Sequence, residues 1–220
     1  MVDPSRSAHA RSGAARETRK CGRREAKRSR STSRRGFAAT SLLVTDKPAV
    51  RARLRALRDQ AAGDPIPAWP QFTARLAPGL VVASYIPVGG EADPAPLVAA
   101  ALAADCRLAL PHVTGREHPI RFLCWAGDAA LVAGPFGLRQ PAADLPELAP
   151  DIVLTPLVGF DRRGHRLGQG AGHYDRAFAA HPDAWRIGVA WSVQEVEALI
   201  PDPWDMPLHA IATEKEWITP

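Results

Sequence analysis

Residues 154–176 read LTPLVGFDRRGHRLGQGAGHYDR, and the rest of the chain is organised around them. The apolar run from Ile152 to Leu157 has the length and composition of a buried strand, and helix-forming residues return from Tyr174. Between the two, Gly164, Gly168, Gly170 and Gly172 let the backbone take positive φ and approach a ligand closely. A loop of this kind turns its amide N–H groups toward a common point, and the helix N-terminus behind it adds partial positive charge. Arg162, Arg163 and Arg166 bring full charges to the same loop, and the planar guanidinium suits phosphate oxygens. Asp161 and Asp175 bracket it, and a carboxylate beside a polyphosphate commonly holds magnesium. The segment therefore outlines a phosphate site at a strand-to-helix junction. It is not a Walker A loop, because no Gly-Lys-Ser/Thr follows the glycines. On spacing alone, a mobile glycine-rich connection is the competing reading.

The 220 residues suit one domain with a substantial core and a tail. The net charge of +5 is unevenly placed. Residues 1–36 hold 12 Lys and Arg against 3 Asp and Glu, which leaves 16 basic and 20 acidic residues in the remainder. The body of the chain is thus mildly acidic. Residues 1–36 have almost no large apolar side chain, cannot bury enough surface to offset ordering entropy, and are expected to be a disordered basic tail. A solvated extension, an organellar targeting segment, a start assigned too early and a charge-driven contact with nucleic acid or membrane phosphates all fit that composition. Phe37 to Val44 has apolar character but is no secretory signal. No run of 18 apolar residues occurs, so a membrane span is not expected. Cys21, Cys106 and Cys124 form neither a zinc pattern nor a disulfide framework, which points to a reducing, cytoplasmic setting.

From Asp46, a capping residue, the pattern is helical, with Val50, Leu54 and Leu57 as an apolar stripe. Lys47, Arg51, Arg55 and Arg58 fall on another face, which composition alone reads as solvated. A short helix around Trp69 to Leu76 is followed by a buried strand from Leu80 to Ile86. Glu91 and Asp93 come just after that strand, where ligands bind in open α/β sheets, although they also suit the cap of a helix over 94–104. Strands are predicted at Arg107–Pro111, Ile120–Trp125 (antiparallel to its neighbour), Trp185–Ala190 and His209–Thr213, with helices at Tyr174–Ala180 and Val193–Leu199. Alternation of helices and strands predicts a three-layer α/β fold: a mostly parallel central sheet with helices on both faces, formed by residues 37–220 as a single domain.

The string Gly159-Phe160-Asp161, Gly164, Arg166-Leu167-Gly168-x-Gly170-x-Gly172, Tyr174-Asp175-Arg176 resembles the signature of the 5-formyltetrahydrofolate cyclo-ligase (5,10-methenyltetrahydrofolate synthetase) family. The likeness runs from Asp46 to Glu214 with its motifs in order. It implies that ATP and Mg²⁺ drive ring closure of 5-formyltetrahydrofolate to 5,10-methenyltetrahydrofolate, with ADP and phosphate released. It also implies roles for residues. The stretch Lys47-Pro48-Ala49-Val50-Arg51 corresponds to the family's ATP-contacting helix start. Arg166 would act on the phosphates as the catalytic cation, and Leu167, Gly168, Gln169, Gly170, Ala171, Gly172, His173 and Tyr174 would line the ATP site. Ile86, Glu91 and Tyr174 would meet the folate, with Glu91 at the pterin edge. Asp175 and Asp205 would hold the metal, Asp202 being the substitute for the latter. His173 stands where an aromatic residue is usual and suits either stacking or capping. Gln140 departs from the family's Gly-Ile-x-Glu-Pro loop, where glutamate is usual.

Two other classes stay open at this level. One is a catalytically silent paralogue that binds folate or RNA. The other is a phosphate-binding α/β enzyme of the sugar-phosphate isomerase type, since fold alone does not fix function. The partners implied are small molecules, with nucleic acid contacted only non-specifically through the tail, and the protein is expected to be a monomer. Because the motifs begin at Lys47, a chain lacking residues 1–36 is expected to keep kcat/KM for the implied reaction within about twofold. A tenfold loss in a truncated protein with an unchanged melting temperature would contradict this.

Overall fold

Asp46 opens the first helix: its carboxylate oxygen Oδ1 accepts from the amide of Ala49 at 3.1 Å, and Pro48 occupies the first turn where no backbone donor is needed. This computed structural model describes residues 46–61 and 64–220, so the readings of residues 1–36 and 37–44 lie outside the described residues. In chain order the elements are α1 (Lys47–Asp59), α2 (Pro70–Thr73), β1 (Val81–Ala83), α3 (Ala95–Ala103), β2 (Arg107–His112) and β3 (Arg121–Cys124). A small hairpin of β4 (Val132–Ala133) and β5 (Arg139–Gln140) follows, then β6 (Ile152–Pro156), β7 (Gly159–Phe160), β8 (Arg166–Leu167) and α4 (His173–Ala180). The chain closes with β9 (Trp185–Val189), β10 (Ala210–Ala212) and β11 (Trp217–Ile218).

Seven strands form one sheet in the order β11-β10-β9-β6-β1-β2-β3. The inner five run parallel, and an antiparallel strand closes each edge. Alternate residues of the parallel strands enter opposite cores, as a pleat requires. Val81, Ala83 and Val153 pack with Ala177 and Phe178 of α4 on one face. Val82, Ile152 and Leu154 pack with Phe72 of α2 and Leu97 of α3 on the other. These are the three layers of the α/β architecture expected from the sequence.

The strand order reverses between β1 and β6: the chain builds outward from β1 to β3, returns to lie beside β1, then builds the other way. In open parallel sheets the crevice for a ligand forms outside the carboxyl ends of the strands at such a reversal. Glu91 follows β1, and the glycine-rich loop follows β6. Helix α1 belongs to a third, smaller core in which Leu54 packs with Val158, Leu167 and Leu199, so it stands beside the segments that leave β6.

Two elements differ from the reading of the sequence. The strand predicted over 80–86 ends at Ala83. The helix predicted over 193–199 is a single 3₁₀ turn, Ser192–Gln194. Gln194 is fully buried and donates to the carbonyls of Leu157 (2.6 Å) and Val158 (3.1 Å), while the amide of Val196 donates to Phe160 (2.8 Å). Those tertiary bonds hold the chain extended from Glu195, and local helix propensity yields to them. Gln140 sits in the β4–β5 hairpin as a brace: it is buried, and Oε1 accepts from the amide of Val113 at 3.0 Å.

Candidate active site

Four of the five cations of α1, Lys47, Arg51, Arg55 and Arg58, lie at positions i, i+4, i+8 and i+11, close to one line along a helix of 3.6 residues per turn, while Arg53 is exposed. Every one of the four in line meets the site rather than bulk solvent. Lys47 Nζ lies 2.6 Å from Asp202 Oδ2 and 3.7 Å from Asp205 Oδ2. Arg51 Nε donates to the carbonyl of Gly168 at 2.8 Å, and Arg55 Nε donates to Gln169 Oε1 at 3.1 Å. Arg58 Nη1 lies 3.6 Å from Glu91 Oε1. The reading of this face as merely solvated does not hold. Pro48 and Ala49 are exposed in the first turn, and Val50 packs on the small core beneath.

Arg166 stands at the centre. Its side chain is 6% exposed, pairs with Asp175 Oδ1, donates to the carbonyl of Met206, and lies over the Phe178 ring at 4.6 Å. Burial pushes the guanidinium pKa down, and the carboxylates of Asp175 and Asp205 oppose that shift. Both aspartates therefore face Arg166. Asp205 is held in a tight turn, its Oδ2 accepting from the amide of Asp202 at 2.9 Å. Among the described residues no group of three or more His, Cys, Asp or Glu converges as a self-contained metal cage. Magnesium commonly takes one or two carboxylates and completes its shell with phosphate oxygens and water. Asp175 and Asp205 fit that donor set.

The loop between β8 and α4 depends on glycine at two places. Gly170 has φ of +96° and lies against the Arg51 guanidinium, where an added Cβ would come within 3.5 Å. Gly172, at φ +65°, starts α4 without any side-chain cap. Gly168, Gln169 and Gly170 are exposed, Ala171 is half-buried and Leu167 is buried. His173 makes no capping bond; burial, with Arg176 and Arg116 nearby, pushes its imidazole pKa down and keeps it neutral. Tyr174 packs against Phe178, ring centroids 6.0 Å apart, and burial holds its hydroxyl protonated.

At the other side of the crevice the side chain of Glu91 is 11% exposed, and its Oε2 accepts from the amide of Val88 at 3.1 Å. Burial pushes its carboxyl pKa up, opposed by that amide, Arg58 and Gln169. Ile86 is half-buried on the same segment. Tyr85, which sequence reasoning missed, is buried beneath it and donates to the carbonyl of Ala92. Its signal was present as the lone aromatic in a buried apolar run.

Three charged residues of the 154–176 stretch are engaged away from Arg166 and the glycine-rich loop. Arg162 reaches Glu195 at 2.8 Å and pairs with Glu216 as well, at the surface. Arg163, 62% exposed, folds back on Asp161. Asp161 is a brace and not a metal ligand in waiting: it is fully buried and accepts from the amides of Arg163 (3.0 Å), His165 (3.1 Å) and Leu199 (2.9 Å). Burial alone would raise its pKa, and these bonds together with His165 bring it below the ordinary carboxylate value.

Fold and site define a three-layer α/β protein in which a row of α1 cations runs from the aspartates around Arg166 at one end to the half-buried Glu91 at the other. Residues 44–214 match the 5-formyltetrahydrofolate cyclo-ligase family, and the chain belongs to that family. It is 34% identical over 148 residues to the 5-formyltetrahydrofolate cyclo-ligase of Escherichia coli K12, an alignment covering 62% of this chain and 79% of that one. The Haemophilus influenzae enzyme of the same name is 29% identical over 173 residues, covering 74% and 90%. The solved structure of Aquifex aeolicus 5,10-methenyltetrahydrofolate synthetase superposes with a TM-score of 0.63 at 30% identity, covering 79% of this chain and 92% of that one.

The bracing role of Asp161 has a defined pH dependence. A carboxyl whose folded pKa is depressed stabilises the fold above its unfolded value and loses that contribution as pH falls through the folded value. Asp161→Asn is expected to cost about 1–3 kcal/mol at pH 7, since an amide nitrogen replaces one acceptor. The gap to wild type should begin to narrow below about pH 4, where the unfolded chain's carboxyl takes up its proton, and close as pH falls through the lower native value. Urea melts of both proteins at pH 7 and pH 3.5 measure this; an unchanged gap would remove the ionised carboxylate as the cause.

Proposed function

We propose that this chain carries out the ATP- and Mg²⁺-dependent cyclisation of 5-formyltetrahydrofolate to 5,10-methenyltetrahydrofolate, releasing ADP and phosphate. The observation that carries the reading is the convergence of Lys47, Arg51 and Arg166 with Asp175 and Asp205 on one side of the crevice and Glu91 on the other, in a member of this family. Lys47, Arg51 and Arg166 bind the triphosphate, and the backbone from Gly168 to Gly172 lies along it. Asp175 and Asp205 hold the metal, which when bound neutralises charge on the phosphate oxygens. Glu91 takes the pterin edge, with Ile86 and Tyr174 against the ring.

The chemistry needs positioning and charge neutralisation more than a protein nucleophile. Resonance from N5 makes the formyl carbon a poor electrophile. Attack of the formyl oxygen on the γ-phosphorus expels ADP and converts that oxygen into a leaving group. N10 then bonds to the formyl carbon, gives up its proton, and inorganic phosphate departs with the former formyl oxygen. Arg166, held by Asp175 and the Met206 carbonyl, is placed to meet the charge that builds on the transferred group.

Around this reaction we read residues 37–220 as one domain and residues 1–36 as a basic tail, with nucleic acid no partner except non-specifically through the charge of that tail. The protein is read as a cytoplasmic monomer. Cys106 and Cys124 are free thiols, and no helix among the described residues is long and apolar enough to cross a membrane.

Purified protein given 5-formyltetrahydrofolate, Mg²⁺ and ATP is expected to generate the absorbance of the methenyl product. A folded protein that binds ATP and yields no product overturns the assignment. Asp175→Asn and Asp205→Asn should each lower kcat/KM for Mg·ATP by about tenfold or more, with a double variant well short of the product of the two losses. Melting temperatures belong beside these data, because Asp175→Asn also leaves the buried Arg166 without its charged partner. Near-wild-type kinetics for Asp175→Asn across a magnesium titration would remove it from the metal site.

A further inference from the structure

Among the described residues Arg58 is a buried cation with little to account for it. Its side chain is 8% exposed, and Nε and Nη1 are buried without a hydrogen-bond partner among the described residues. Two carboxylates lie nearby, Glu91 at 3.6 Å and Asp59 at 3.5 Å. Asp59 is 59% exposed and well hydrated, whereas Glu91 is 11% exposed. Water screens the first pairing and leaves the second strong. The contact is built into the backbone. Gly90 lets the end of α1 lie against the Glu91 segment, since a Cβ there would come within 2.7 Å of Asp59 Oδ1 and 3.2 Å of the Arg58 carbonyl. From the opposite side Trp191 Nε1 donates to the Gly90 carbonyl at 2.9 Å and pins the segment in place.

We propose that Arg58 is a positioning residue for substrate recognition: its buried guanidinium keeps Glu91 an ionised, doubly accepting carboxylate for a ligand edge that offers two adjacent N–H donors. The ring amide and amine of a reduced pterin present such an edge. The inference rests on the functional reading above for the identity of the ligand, and on the geometry alone for the state of Glu91.

Burial alone pushes this carboxyl toward its protonated form, and the protonated form offers a donor where the ligand needs an acceptor. The other groups facing Glu91 do not supply a countercharge. Tyr174 on α4 and Tyr85 beneath the segment are held neutral by burial, Asp93 is an anion, and Gln169 offers only an amide, itself engaged by Arg55. Arg58 is the cation at hand.

The test uses the full chain, with Arg58→Met and Arg58→Lys. Binding of 5-formyltetrahydrofolate and of Mg·ATP is measured separately from pH 6.5 to 8.5, together with the titration of the ¹³C-labelled Glu91 carboxyl in ligand-free protein. Arg58→Met should weaken folate about tenfold at pH 6.5, recover most of that loss by pH 8.5, and leave Mg·ATP within about twofold; the Glu91 midpoint should rise by about one unit or more. Arg58→Lys, which keeps the charge, should bind folate within about threefold of wild type with the same flat profile. A folate loss equal at every pH, unchanged folate affinity, or an unmoved Glu91 midpoint each overturns the proposal. Should Arg58→Met not fold, the Lys variant decides: a pH-dependent loss there means that charge alone does not hold Glu91. Wild-type protein that fails to bind 5-formyltetrahydrofolate defeats the functional reading instead, while the Glu91 titration still decides the role of Arg58.

Discussion

Burying the Arg166 guanidinium is the constraint on which the site depends. A buried charge without partners costs several kcal/mol, so the surrounding chain must bring acceptors to it. Asp175 comes from the first turn of α4, the Met206 carbonyl and Asp205 from the turn before β10, and the Phe178 ring from the middle of α4. Two segments, α4 and the turn before β10, are thereby fixed around one side chain. Lys47 then ties α1 to the same turn through Asp202 and Asp205.

Much of the scaffold could be read from the sequence because local signals and burial agreed there. The Asp46 cap, the run from Ile152, the strands at Arg107 and Trp185 and the helix before Ala180 all behave as their composition predicts. The failures came where a tertiary bond outweighs a local tendency. Gln194 looks like a helix residue, and its amide is instead spent on the carbonyls of Leu157 and Val158. Arg162 looks like a phosphate ligand by position in its loop, yet Glu195 and Glu216, distant in sequence, draw it to the surface. The site was legible in part. Glycine spacing and the two aspartates drew attention to the loop and to Arg166's partners, but nothing local says which face of α1 meets them. The apolar stripe of that helix gives its inward side, and the cations lie beside this stripe rather than opposite. Arg58 was invisible as a partner of Glu91 because only the close packing allowed by Gly90 brings them together.

The cations beside the glycine-rich loop rest on protein groups: Lys47 on Asp202, Arg51 on a carbonyl, Arg166 on Asp175. Under the proposed reaction, arrival of a metal-bound polyanion exchanges these contacts rather than creating them from free charges. The net gain of each exchange is smaller than a bare ion pair would suggest, and its value lies in orientation. That suits a reaction whose difficulty is the alignment of a weak oxygen nucleophile with phosphorus.

Carrying Lys47, Arg51, Arg55 and Arg58 on one continuous helix has a consequence for what the chain can become. Adding or deleting one residue inside α1 turns everything beyond it by about 100°. An indel between Lys47 and Arg58 would therefore swing cations out of line together, and no single substitution would restore them. Beyond Asp59 no such register applies. Around this helix, length variation is thus tolerated in the connection after α1 and not within the twelve positions from Lys47 to Arg58, which must be kept in number even where their side chains drift.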